Sequence, residues 1–199
     1  MLIGDVAGMT LRPWRRAPLL AEGRPLPLAA VLVIATGLAS LGLSLAGVAV
    51  EPEQGAQRGA DIGASLILPL LFAGFWLVDA LVVDAVAQLM GRPSRRRRYL
   101  EVSAYTWPVL TVFGVVRLLQ AYVDRAAGMP ASAAGNAIGF LDFALLAWFL
   151  VAATTAAQAV YDLPAASALA AALAPLAVVA TLLMVLLIAG AVLHGAGTG

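Results

Sequence analysis

Five long apolar blocks, each close to the length of a bilayer crossing, set the terms for this chain. A helix needs about 20 mainly apolar residues to cross roughly 30 Å of hydrocarbon at 1.5 Å rise per residue. Residues 26–50, 62–83, 102–122, 137–160 and 165–193 meet that length. Of the 199 residues, 62% are hydrophobic and 12% charged, which is too little charge to coat a water-soluble domain. In lipid a spanning segment has to satisfy its own backbone hydrogen bonds. The expected fold is therefore all-α, a polytopic integral membrane bundle of five transmembrane helices over residues 26–194. A cytoplasmic segment with an interfacial helix, residues 1–25, precedes it, and a tail, residues 195–199, follows. Span three carries Pro108 and Arg117, span four carries Asp142, and span five is long enough to tilt or to kink near Pro175.

The first block follows Arg15, Arg16 and Arg24, and Ser44-Leu45-Ala46 offers the small residues of a signal-peptide cleavage site. Its apolar run is longer than the roughly 7–15 residues of a signal sequence, so it reads as an uncleaved span. The connectors are short, and no soluble domain is expected between spans.

Arginine placement sets the direction. All basic residues are Arg. Arg12, Arg15, Arg16 and Arg24 precede span one, and Arg92 with Arg95, Arg96, Arg97 and Arg98 fills the connector between spans two and three. If spans alternate, these nine lie on one side, while Arg58 and Arg125 lie on the other. The positive-inside rule then puts the N-terminus in the cytoplasm and, with five spans, the C-terminus outside. Gly91 and Pro93 read as the end of a second helix that continues through Asp84, Gln88 and Met90, with Ser94 as N-cap of the next. Arginines in that helix's first turn oppose its dipole. The run therefore serves topology or contacts anionic lipid, worth about 1 kcal/mol per basic residue near the surface. The motif Arg12-Pro13-Trp14-Arg15-Arg16 is echoed by Arg92-Pro93-Ser94-Arg95-Arg96, which reads as two entry points charged under one rule.

Charged groups inside a span are costly and face the bundle interior, which singles out Asp79, Asp84, Arg117 and Asp142. Arg117 and Asp142 each lie about 7–8 Å from the same end of consecutive spans, so an ion pair is expected. It would pin a hairpin or, in a transporter, line a path. Asp79 and Asp84 are about 140° apart on a helix and do not share a face, whereas Asp84 and Gln88 do. With Glu101, Tyr105, Thr106, Thr154, Thr155, Gln158, Tyr161 and Asp162 they form a polar level near the basic end. That level suits either a substrate site or interhelical hydrogen bonding.

Several chemistries drop out. Without Lys there is no phosphate loop of Walker type, a lone His194 cannot supply metalloprotease ligands, and without Cys there is no thiol chemistry. Tyr161-Asp162 and Asp142 echo intramembrane aspartyl proteases, but they lie about 30 Å apart at the ends of one span, too far to share a proton. No catalytic residue, metal, cofactor or nucleic-acid partner is expected.

Three stretches carry a family resemblance. They are Leu11-Arg12-Pro13-Trp14-Arg15-Arg16 through Glu22-Gly23-Arg24-Pro25; Ala85 through Gly91 with Val102-Ser103-Ala104-Tyr105-Thr106-Trp107-Pro108; and Tyr161-Asp162-Leu163-Pro164 through Leu173-Ala174-Pro175. In these the chain resembles small bacterial members of the Ypt-interacting-protein (Yip) domain family. The resemblance implies five spans with a cytosolic N-terminus and an outer C-terminus. Eukaryotic members bind Rab-type GTPases in vesicle traffic through a long cytosolic N-terminal region that this chain does not match, so that role is not carried over. The resulting expectation is a non-enzymatic scaffold of the bacterial inner membrane, associating with anionic headgroups and with itself or another membrane protein. The alternative is a small transporter or channel using Asp79 and the Arg117–Asp142 pair, which would need a water-filled cavity reaching Asp79.

The direction is testable by thiol labelling, since the chain has no Cys of its own. Single cysteines at Gly8 and Ser94 should react from the cytoplasm, and those at Ser132 and Thr198 from outside. Thr198 labelled from the cytoplasm would exclude five spans.

Overall fold

The computed structural model describes residues 2–23, 25–50, 56–128 and 132–196. Among these are nine helices and no strand: α1 (Leu2–Leu11), α2 (Pro13–Leu20), α3 (Leu26–Val50), α4 (Ala56–Leu66), α5 (Leu68–Leu89), α6 (Arg96–Ser103), α7 (Pro108–Ala127), α8 (Ala133–Tyr161) and α9 (Ala165–Ala196). Five helical segments are long and apolar enough to span a membrane: α3, α5, α6 with α7, α8, and the part of α9 up to Ala189.

Lipid offers no hydrophobic drive for helices to associate, so close packing of small residues takes over. Ala80 and Ala87 on α5, Ala156 and Ala157 on α8, and Ala168 and Ala171 on α9 are fully buried in one cluster. At the closest approach of α3 and α5, a Cβ on Gly37 would lie 2.8 Å from the Pro69 Cα, so only glycine fits there.

Proline sets two of the boundaries. Pro69 begins α5 after a break at Ile67, which separates α4 and moves the long helix toward the basic loop. Gly91, at φ 78°, follows its other end. Pro108 begins α7 and cannot donate a backbone hydrogen bond. The chain from Ala104 to Trp107 leaves the α-helix and holds itself by tighter bonds, such as Tyr105 N to Val102 O at 3.1 Å and Thr106 N to Ser103 O at 2.9 Å. Irregular backbone is tolerated at membrane depth only inside protein, and residues 101–107 are all buried. Pro175, in contrast, sits within a continuous α9.

The segment ahead of the first span folds into the bundle. The helices α1 and α2 form a hairpin closed by an Asp5–Arg16 ion pair. Met9, Ala17 and Leu20 from this hairpin are buried in the same cluster as Tyr99 and Val160. Trp148 on α8 donates to the Thr10 carbonyl at 2.5 Å, and its ring meets Trp14 edge-on at 5.9 Å. Trp148 lies about 20 Å from the Tyr161 end of α8, so the hairpin reaches well back along that helix.

At the far end, α7 and α8 are tied in a second hairpin. Asp124 accepts from Ser132 N at 2.8 Å and from Ser132 Oγ at 2.5 Å, while Ser132 caps α8 through Gly135 N. A Cβ on Gly135 would collide with the Asp124 carboxylate. Lower in the hairpin, Arg117 Nε lies 2.5 Å from Asp142 Oδ2. Arg125 donates to the last carbonyl of α3, on Val50, where a cation suits the helix dipole.

Asp142 is buried and Arg117 is not, so losing the guanidinium strands a carboxylate. Arg117→Leu should therefore destabilise more than Asp142→Asn in thermal unfolding of the purified protein. The double variant should recover about 1 kcal/mol of coupling. Strict additivity would count against the pair.

Candidate functional site

The polar residues converge at the basic end around Asp84, a buried carboxylate on α5. Its Oδ2 accepts from Gln88 Nε2 at 2.8 Å, one helical turn on, and from Ser94 Oγ at 2.7 Å. Its Oδ1 accepts from the Arg95 backbone N at 2.9 Å and from Tyr161 Oη at 2.8 Å. Four donors from α5, the basic loop and the end of α8 thus meet on one side chain. Ser94 does not act as the N-cap. Arg95 holds that position without a side-chain cap, and Asp84 takes its N–H instead. An acidic group at a helix N-terminus is stabilising, so Asp84 offsets the conflict that the arginines set up in the first turn of α6.

The arginines divide into two groups. Arg92 donates to the Asp162 carbonyl at 2.6 Å, and Arg95 donates to the Val160 carbonyl at 2.7 Å and to Asp162 Oδ2 at 3.1 Å. Both satisfy the unpaired carbonyls that every helix C-terminus leaves, here that of α8, where Asp162 takes a left-handed conformation at φ 54°. Arg97 and Arg98 pair with buried Glu101 at 3.3 and 3.0 Å. Arg96 makes no ion pair among the described residues. Together with Gly23, Pro25, Leu26 and Leu100, residues Arg95 to Arg98 line a cavity of about 1100 Å³.

Asp79, five residues before Asp84, is half-buried and near Tyr99. The rings of Tyr99 and Tyr161 lie 5.9 Å apart. Tyr161 thus links Asp84 to the ring of Tyr99, whose hydroxyl makes no hydrogen bond of its own among the described residues. Gln158 contributes its backbone carbonyl, which accepts from Asp162 N at 2.9 Å. Arg117 and Asp142 are in the other half of the bundle. Arg117 lines a second cavity, of about 710 Å³, between α3, α4, α5 and α7. Asp79 lines neither cavity. No group of three or more His, Cys, Asp or Glu placed to hold a metal occurs among the described residues.

Sequence reasoning brought Asp84 and Gln88 together by helical spacing and put Tyr161 at their level, but did not pair Tyr161 or Ser94 with Asp84. It also missed Asp162 and Val160 as targets of the arginines. These contacts join residues 10 to 77 apart, and periodicity along one helix carries no signal for them. The Ser132 cap was recoverable, since Ser followed by an apolar run is a helix-start signal.

Asp84→Ala should cost about 3–5 kcal/mol, because the Arg95 N–H, Ser94 and Tyr161 lose a buried partner together. Tyr161→Phe, which leaves the other three donors in place, should cost about 1 kcal/mol. Thermal unfolding that ranks the two equally would show that Asp84 is not the hub.

No curated protein and no solved structure matches the chain. The Yip1 domain model matches residues 8–190, a stretch that includes the N-terminal hairpin from Gly8, the Asp84 network and all five long helices, and the chain is therefore a multi-pass membrane protein of the Yip1 domain family.

Proposed function

We propose that this protein is a non-enzymatic membrane organiser whose basic end, facing the cytoplasm, holds an anionic lipid headgroup. The observation that supports this most is the position of the arginine-lined cavity. It opens beside Pro25 and Leu26, where α3 begins, which is headgroup level for a span starting there. The side chains of Arg95, Arg97 and Arg98 remain 44%, 79% and 37% exposed despite their internal partners, so their outward nitrogens stay accessible to phosphate. Arg95 also braces α8, so a lipid bound there would act on the same loop that joins α5, α6 and α8.

A transport reading has one observation in its favour. Trp76, Trp107, Ala29, Val33 and Ala104 form a buried layer. Leu26 and Leu100 pack on that layer and line the basic cavity, while Phe72 and Leu110 pack on it and line the far one. A permeating species would have to cross the layer at the irregular turn Ala104–Trp107. Its route would bypass Asp79.

Lipid preference decides for the organiser reading. In nanodiscs of mixed phosphatidylglycerol and phosphatidylcholine, spin-labelled phosphatidylglycerol should be enriched at the wild-type protein. The Arg96→Gln/Arg97→Gln variant should lose about tenfold of that preference with its thermal stability retained. Unchanged enrichment would overturn the proposal.

A further inference from the structure

The far cavity has a polarity order of its own. Its wall from α7 is a single helical stripe that includes Leu110, Gly114, Arg117, Ala121 and Asp124. Asp124 is near the outer end, Arg117 lies about 10 Å below it, and Leu110 about 10 Å below that. The other walls follow the same order. Asp61 is one turn before Ser65 on α4, Ser65 meets Ser44 of α3 at 2.7 Å, and Phe72 follows on α5. From mouth to floor the sequence is carboxylates, then hydroxyls and a guanidinium, then apolar and aromatic side chains.

The hydrogen-bond inventory adds direction. Ser65 Oγ donates to the Asp61 carbonyl at 2.7 Å, so the 2.7 Å contact between Ser44 and Ser65 uses the proton of Ser44. A hydroxyl has one proton, which leaves Ser44 an acceptor toward the cavity. Asp124 uses Oδ1 for Ser132. Arg117 holds Asp142 through Nε and lies over Phe113, itself a lining residue, at 5.3 Å. Ser40 lines the same space, is only 9% exposed, and its hydroxyl has no hydrogen-bond partner. A buried hydroxyl left unpaired is costly, so this one calls for a ligand atom.

We propose that this cavity binds an amine-headed phospholipid of the ethanolamine class, taken from the leaflet opposite the basic end. Its layers match those of such a lipid inserted in its normal orientation. The ammonium would lie among Asp61, Asp124 and the acceptor lone pairs of Ser44. The phosphate and ester oxygens would lie against Arg117 and Ser40, and the acyl chains against Phe72 and Leu110. Choline headgroups cannot donate hydrogen bonds to the carboxylates, which gives the site its discrimination. Phosphatidylglycerol has no cation to offer them. This site is separate from the arginine-lined cavity and does not depend on it.

Native mass spectrometry of the full-length protein, titrated with phosphatidylethanolamine or phosphatidylcholine, tests the assignment. Retention of the ethanolamine lipid should exceed that of the choline lipid about tenfold, the size of one charge-assisted hydrogen bond. A Cβ added at Gly47, which lines the cavity, would meet nothing within 4 Å, so Gly47→Leu, with its thermal unfolding checked against the wild type, is the variant that fills the space. It should abolish the preference, and Asp61→Asn should reduce it toward that of the choline lipid. Arg96→Gln/Arg97→Gln should leave it intact, which separates this site from the one at the basic end. Equal retention of the two lipids, or retention unaltered by Gly47→Leu, would overturn the proposal. Displacement by soluble glycerophosphoethanolamine at matched concentration would overturn the lipid as occupant.

Discussion

One carboxylate holds the basic end of this bundle together. Asp84 accepts hydrogen bonds from Gln88, Ser94, the Arg95 backbone and Tyr161, and so joins α5, the basic loop, the start of α6 and the end of α8. A buried carboxylate is tolerated when its lone pairs are filled, and here four donors fill them. The arginine loop depends on this anchor. Because Asp84 fixes the backbone at Arg95, the Arg95 side chain can cap α8 and Arg97 and Arg98 can reach Glu101. Without the anchor the loop would be a run of like charges next to one another.

The second constraint is the break at Ala104–Trp107. Pro108 removes a backbone donor in the middle of the long Arg96–Ala127 segment, and side chains hold the turn that precedes it. Trp76 donates to the Leu100 carbonyl and to Ser103 Oγ at 3.3 and 3.2 Å, and Thr106 Oγ1 donates to the Ser103 carbonyl at 2.7 Å. The break separates the short helix α6, which carries Arg96 to Arg98, from α7.

Much of this was legible in the sequence, for a physical reason. Segment length against bilayer thickness is a one-dimensional test, and it yields five membrane-length helices. Depth along consecutive helices is nearly one-dimensional too, which is why counting residues from the hairpin's ends pairs Arg117 with Asp142. The rest needed three dimensions. The arginines read as a surface run, yet Arg92 and Arg95 act on carbonyls at 160 and 162. Ser94 read as a cap because the spacing allowed it, but Asp84 competes for the same N–H with a full charge. The α1–α2 hairpin read as an interfacial segment, since nothing local in it points to Trp148. The far cavity was invisible for the same reason: its carboxylates and hydroxyls come from three helices.

The α1–α2 hairpin also constrains the order in which the molecule can be made. It leaves the ribosome before the surfaces that receive it, which belong to α6 and α8, with Trp148 synthesised 138 residues after Thr10. Contacts of such long separation form late, so Met9 and Leu20 reach their full burial in the core only after the fourth span is made. Docking of the hairpin therefore waits on α8, and the Asp5–Arg16 clasp, which is local, can keep the hairpin folded meanwhile.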